Sequence, residues 1–118
     1  MTGLTTHILD TANGCPAAAV KLALYACPAA GARTLVKQAT TNADGRTDAP
    51  LLDAVGMQAG VWELEFHIAD YFRQANTPLD EPPFLDVITL RFGIADTTAH
   101  YHVPLLVSPW SYSTYRGS

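Results

Sequence analysis

The sequence predicts an all-β fold, an antiparallel β-sandwich of about eight short strands with one short helix. Polar and apolar residues alternate with a period of two along most of the chain. Glycine and proline turns recur at intervals of about 8–12 residues, and only one stretch has a helical pattern. We expect a single domain over residues 1–118, because the chain has ordinary domain length and contains no repeat or linker.

The composition indicates a globular protein with a weakly charged surface. Charged residues make up 15% of the chain, against roughly 25% in typical soluble domains, so part of the surface is expected to be covered by other copies. A net charge of −4 and the lack of a lysine or arginine run argue against nucleic-acid or anionic-membrane binding. Cys15 and Cys27 are too few for a disulfide framework and are expected to be reduced. With no signal-peptide pattern, the expected compartment is the cytoplasm.

Four strands are expected in the first half of the chain, each ended by a glycine or proline turn. The first places Leu4, Thr6 and Ile8 on one face and turns Thr5, His7 and Leu9 outward. The segment TANGCP is read as a turn, and the polar loop TNADGRTDAP has a tight turn at its Asp-Gly pair. The expected strands are 4–10, 19–26, a more polar 33–40, and a short one within 50–55.

The second half adds one helix and four more strands. The alternation is clearest in VWELEFHIA, where the aromatic and aliphatic residues share one face. The helix is expected over 70–76, with Asp70 as its N-cap. The expected strands are 61–69, 86–94, 99–107 and about 111–117.

Two of these strands have unusual outward faces. In strand 99–107 the face opposite the core contains two histidines, His100 and His102, followed by proline and leucine. In strand 4–10 it contains His7 and Leu9. Such faces are too apolar for free solvent and too polar for a core, which favours a subunit interface that encloses a wet cleft.

Histidine suits proton transfer near neutral pH, so these side chains are candidates for general acid–base catalysis. An isolated histidine more often makes one structural hydrogen bond, and His67, among glutamates, is read as solvated. Zinc binding by His7, His100 and His102 is a less favoured alternative, because no matching cysteine or carboxylate accompanies them. Asp10 is interpreted as a turn-capping residue.

The loop arginine Arg46 has two readings. It is either an exposed loop residue or a planar donor for a carbonyl-rich or anionic ligand. The chain contains neither a phosphate-binding glycine loop nor a nucleophile-elbow pattern. The chemistry indicated by the residues is therefore that of histidine and arginine in a cleft.

Four blocks, THILD, TNADGRTDAPLL, HYHVPLLVSP and the terminal STYRGS, occur in this order along the chain. In this respect the sequence resembles the transthyretin-related family, and within it the 5-hydroxyisourate hydrolases. The resemblance implies a transthyretin-like (prealbumin-like) sandwich of two four-stranded sheets with one short helix. It also implies a homotetramer, a dimer of dimers, with active sites where the dimers meet.

The implied reaction is hydrolytic opening of a cyclic amide in 5-hydroxyisourate, with no metal or organic cofactor. The product is 2-oxo-4-hydroxy-4-carboxy-5-ureidoimidazoline. By matching motifs, the resemblance assigns catalysis to His7, Arg46 and His102, and substrate binding to Tyr115, Arg116, Gly117 and Ser118. Either histidine can serve as the base at this stage. A carrier of small ligands on the same fold is the alternative.

Overall fold

The structure, a computed structural model, describes residues 2–117. Its strands form two four-stranded sheets, in the orders β2-β1-β7-β8 and β4-β3-β5-β6. This confirms the predicted sandwich of two four-stranded sheets with one short helix. The elements are β1 (Gly3–Asp10), β2 (Cys15–Pro16), β3 (Lys21–Cys27), β4 (Thr34–Thr40), β5 (Gly60–His67), α1 (Ile68–Gln74), β6 (Val87–Ile94), β7 (His100–Val107) and β8 (Tyr112–Thr114).

One strand pair departs from the antiparallel expectation. β1 and β7 run parallel over their whole length, from Gly3 opposite His100 to Asp10 opposite Val107. All other strand pairs among residues 2–117 are antiparallel. A parallel pair needs a long crossover, and here nearly the whole chain lies between the two strands. The sequence cannot reveal this direction, because side chains alternate between the two faces in the same way in parallel and antiparallel strands.

The core lies between the sheets and follows the predicted alternation. Leu4 and Ile8 of β1 and Leu105 of β7 are fully buried. They face Leu64 and Phe66 of β5, which are also fully buried. Each such side chain contributes roughly 1.5–3 kcal/mol relative to leaving it exposed, so this packing holds β1 and β7 in fixed positions.

The helix begins two residues earlier than predicted, and the Asp70 cap is wrong. Residue His67 occupies the N-cap position without a side-chain hydrogen bond. Instead, the backbone N–H groups of Ile68 and Ala69 donate to the carbonyl of Asp86, both at 3.1 Å. Because Ile68 and Ala69 are fully buried, packing decides the start of this helix. At seven residues, the helix within residues 2–117 is too short to cross a membrane.

Three short segments also differ from expectation. The strand expected within 50–55 is a loop, in which Leu52 forms a single bridge to Leu4. The predicted turn TANGCP contains β2, which pairs with the end of β1. The last strand is shorter than predicted, but the chain returns to β7 where Gly117 bridges His102.

Candidate active site

The register between β1 and β7 determines where the histidines of the candidate site lie relative to each other. Thr5 lies opposite His102, and His7 lies opposite Pro104. Because all of these positions are an even number of residues from the pair Thr5–His102, their side chains share the outward face. His7 and His102 are therefore diagonal neighbours on adjacent strands, as their outward positions in the sequence predicted.

A turn in the polar loop places Arg46 beside His7. The side-chain oxygen of Asn42 accepts hydrogen bonds from the backbone N–H groups of Asp44, at 2.9 Å, and Arg46, at 3.2 Å. The backbone at Gly45 has φ of 76°, a conformation that favours glycine. The turn then lies along the free side of β1, where Arg46 forms an antiparallel bridge with His7. Arg46 is exposed and available to a ligand.

The same turn orients the ring of His7. Its Nε2 lies 2.8 Å from the backbone carbonyl oxygen of Asp44. A carbonyl only accepts hydrogen bonds, so Nε2 must be the donor and carry the proton. In the neutral ring, Nδ1 is then the nitrogen with a free lone pair.

His102 is held by a hydroxyl group. Thr5 Oγ1 lies 2.8 Å from Nδ1 of His102 and 3.1 Å from Nε2 of His100. One threonine therefore links both histidines of the HYH motif, and Nε2 is the ring nitrogen of His102 left for a ligand. The two histidines and Thr5 are all half-buried.

The electrostatic surroundings favour the neutral form of His102. Burial lowers the pKa of this imidazole, and the positive charge of Arg46 lowers it further, with smaller contributions from His7 and His100. His102 therefore stays neutral at lower pH than an ordinary histidine.

The end of the described chain packs on His102. The backbone N–H of Gly117 donates to the His102 carbonyl at 2.8 Å. A side-chain carbon at this glycine would lie 2.7 Å from Cδ2 of the His102 ring. This contact requires glycine, and it restricts the position of the ring edge that carries Nε2.

The other predicted substrate-binding residues lie elsewhere. The guanidinium of Arg116 lies 4.0 Å from the centre of the Tyr101 ring, and Tyr101 faces the opposite side of β7 from His102. Tyr115 is 60% exposed. Tyr115 and Arg116 both line a groove of about 370 Å³. Within one chain, the structure therefore joins Gly117 to the histidines but not the side chains of Tyr115 and Arg116. Ser118 lies outside the described residues.

No group of three histidine, cysteine or acidic side chains among residues 2–117 is arranged to hold a metal ion. Sequence reasoning missed Thr5 and the carbonyl of Asp44 as partners of the site histidines. Thr5 left a signal, because it shares the outward face of its strand with His7. The Asp44 carbonyl left none, since every residue has one.

Comparison with known proteins supports one assignment. A curated "5-hydroxyisourate hydrolase" of Deinococcus radiodurans is 59% identical over 117 residues, which cover 98% of this chain and 96% of the relative. The structure of an "(S)-allantoin synthase" matches with a TM-score of 0.93 and 46% identity, although this chain spans only 43% of its length. Sea bream transthyretin in complex with thyroxine matches with a TM-score of 0.85 and 30% identity, covering 97% of this chain and 93% of that one.

The family model described as "HIUase/Transthyretin family" matches residues 4–117, which include the whole of both strands that carry the histidines. The fold, the site and the relatives agree, and this chain belongs to the HIUase/Transthyretin family.

Proposed function

We propose that this protein hydrolyses 5-hydroxyisourate to 2-oxo-4-hydroxy-4-carboxy-5-ureidoimidazoline in urate breakdown. The observation that carries the proposal is the juxtaposition of His7, Arg46 and His102 on one outward face. Curated relatives named for this activity, at 59% and 56% identity over nearly the whole chain, support the substrate.

The reaction adds one water molecule across a ring C–N bond. One histidine takes a proton from the water as its oxygen attacks the ring carbonyl. The other polarises the carbonyl or protonates the departing nitrogen as the C–N bond breaks. Arg46 binds substrate oxygens and stabilises the negative charge that develops during the attack. Its exposure and its place beside His7 support this role.

The proposed assembly is a homotetramer, a dimer of dimers, with the sites at the dimer–dimer interface. Leu9 and Leu106 support it, because they flank the histidines on the outward face and are only half-buried within one chain. The proposed location is the cytoplasm, supported by two free cysteines, Cys15 and Cys27. The residues that we propose to bind substrate are Tyr115, Arg116, Gly117 and Ser118, of which Gly117 has the direct contact with His102.

A carrier function on the same fold is the second candidate, because sea bream transthyretin in complex with thyroxine is a structural neighbour. A carrier of an apolar ligand requires an apolar site. Here the candidate site contains two histidines and an arginine, which favours the hydrolase.

The decisive test follows the ultraviolet absorbance of freshly made 5-hydroxyisourate, generated from urate by urate oxidase. We expect the protein to speed its decay, and His102→Asn to lower the rate roughly 10²–10⁴-fold, the usual contribution of a general acid or base. His67→Asn, on the other sheet, is the matched control and should keep full activity. Decay at the spontaneous rate with the unmodified protein would favour the carrier.

We further propose that catalysis needs no cofactor. Incubation with a chelator followed by gel filtration should leave the rate unchanged. A lost rate that returns on adding Zn²⁺ would instead support the zinc alternative at His7, His100 and His102.

A further inference from the structure

Resting on the proposed function, we infer that Thr5 and His100 are positioning residues that hold His102 as the neutral tautomer with its proton on Nε2. In this state His102 donates a hydrogen bond to the substrate and cannot act as the base. The proton of the attacking water then goes to Nδ1 of His7.

The hydroxyl of Thr5 limits which protons the two neighbouring rings can carry. Its hydroxyl has one hydrogen to donate and faces two ring nitrogens, Nε2 of His100 and Nδ1 of His102. It donates to one and accepts from the other, or it accepts from both and leaves its own hydrogen unpaired. Each choice assigns a tautomer to both histidines.

His100 distinguishes between these choices. Its Nδ1 is shielded from solvent and has no hydrogen-bond partner among the residues that the structure describes. If Thr5 donated to Nε2 of His100, this Nδ1 would have to carry a proton and become a buried donor without an acceptor. Such unpaired N–H groups are rarer in proteins than unpaired acceptors.

One arrangement leaves no buried donor unpaired and keeps the accessible Nε2 of His102 for the substrate. Nε2–H of His100 donates to Thr5, the Thr5 hydroxyl donates to Nδ1 of His102, and the proton of His102 lies on Nε2. Burial and the charge of Arg46 lower the pKa of His102 and so favour a neutral ring, although a hydrogen bond to the backbone of Thr5 acts in the opposite direction.

His7, the other histidine of the site, has its proton placed by a backbone contact. The carbonyl of Asp44 fixes the proton of His7 on Nε2, at 2.8 Å, so that Nδ1 is the basic nitrogen of the neutral ring. The two histidines therefore differ in function because one ring faces a carbonyl and the other faces a hydroxyl. His7 accepts the proton of water and returns it to the departing nitrogen as the C–N bond breaks, while Nε2–H of His102 donates a hydrogen bond to the oxygen that gains electron density.

The kinetic test replaces the hydroxyl of Thr5 by a methyl group. Thr5→Val keeps the shape of the side chain but leaves both tautomers of His102 accessible. We expect kcat to fall roughly ten-fold or more while KM changes little, since the lost interaction acts in the transition state. Thr5→Ser, which restores the hydroxyl, should recover most of the rate, and His100→Phe should lose an intermediate amount. Unchanged kcat in Thr5→Val would overturn the inference.

A second measurement needs no substrate and no altered fold. Nitrogen-15 NMR of the unmodified protein, labelled at histidine, reports which ring nitrogen of His102 is protonated, with the signals assigned by their loss in His102→Gln. We expect a protonated Nε2 and an unprotonated Nδ1, and a mixture in Thr5→Val. A protonated Nδ1 in the unmodified protein would overturn the inference.

The two proposals fail separately. If the unmodified protein does not accelerate decay of 5-hydroxyisourate, the proposed function is wrong, and the NMR result alone decides the tautomer. If it does accelerate decay and Thr5→Val retains full kcat, the function stands and the role of Thr5 is wrong.

Discussion

At the scale of single residues, Asp10 shows how a buried charge is stabilised at the end of β1, the strand that carries His7. This carboxylate is 1% exposed at the end of β1. It accepts hydrogen bonds from the backbone N–H groups of Ala12 and Asn13, from the side chain of Asn13, and from the hydroxyl of Tyr71 at 2.7 Å. The predicted turn-capping role is confirmed, whereas the bond to Tyr71 joins β1 to the helix and was not foreseen.

These contacts lead to a stability prediction. Burial raises the pKa of Asp10, but the bonds from Asn13, Tyr71 and the backbone outweigh it and lower the pKa below 3.8. Asp10→Asn should destabilise the protein by about 2 kcal/mol at pH 7, since hydrogen bonds to a charged group are lost. A lowered pKa in the folded state gives stability that is present above pH 3.8 and lost as the pH falls further.

Urea unfolding at pH 7 and near pH 3 measures this difference. The difference in unfolding free energy between the unmodified protein and Asp10→Asn should narrow at the lower pH, because the unfolded carboxylate takes up a proton there before the native one does. Asp80→Asn, in an exposed loop, is the control and should change little. An equal gap at both pH values would mean that the charge of Asp10 has no part in its effect.

At the scale of elements, the segment after β8 does not continue the strand ladder but contacts β7 through Gly117. The paired part of β8 covers only Tyr112–Thr114. Beyond it, the chain leaves the ladder and then returns to donate from Gly117 to His102. The backbone of this segment thus supports β7, the strand of His102, from the side opposite β1.

Gly117→Ala tests that support. The added carbon would lie 2.7 Å from Cδ2 of His102, so the ring or the terminal segment must shift. Misplacing a catalytic group lowers the rate even when the fold survives, and we expect a loss in kcat of roughly ten-fold or more. Thermal unfolding should be almost unchanged, because Gly117 and the ring of His102 are only half-buried and lie outside the core.

Gly56→Ala, away from the histidines, is the matched control, since its added carbon would make only ordinary contacts with Asp53 and Leu52, at 3.4 Å or more. It should retain both rate and stability. Full activity in Gly117→Ala would show that the terminal segment does not restrict the histidine.

At the scale of the whole molecule, the proposed assembly accounts for both the weakly charged surface and the outward face of the first sheet. Leu106 of β7 lies on the same face as His102 and is half-buried in a single chain. Charged residues are only 15% of the sequence. A second copy that covered this face would enclose the histidines and exclude bulk water from them.

This explanation predicts the behaviour of Leu106→Glu. A buried charge at an interface is costly, so the variant should sediment with a lower mass than a tetramer of the 12.7 kDa chain. Its hydrolase activity should fall with the assembly. Gln38→Glu, on the exposed β4 of the other sheet, should remain tetrameric and active. Analytical ultracentrifugation at several concentrations gives both results, and a monomeric unmodified protein would contradict the proposed assembly.

The sequence by itself determined the layers of the sandwich and the residues that face the core. Alternation with a period of two is a local property, so Leu4, Ile8, Leu64 and Phe66 were predicted inward and lie there. The outward direction of His7 and His102 follows from the same rule, and the glycine-containing loop that carries Arg46 follows from local turn chemistry.

Only the tertiary structure decided which strands are neighbours and in which direction they run. The pairing of β1 with β7 joins residues almost a hundred positions apart, and its parallel direction leaves no trace in the alternation. That pairing places Thr5 against His102, and packing of the loop on β1 places the carbonyl of Asp44 against His7. These contacts set the proton positions on the two rings, because a hydrogen bond depends on distance in space and not on separation along the chain.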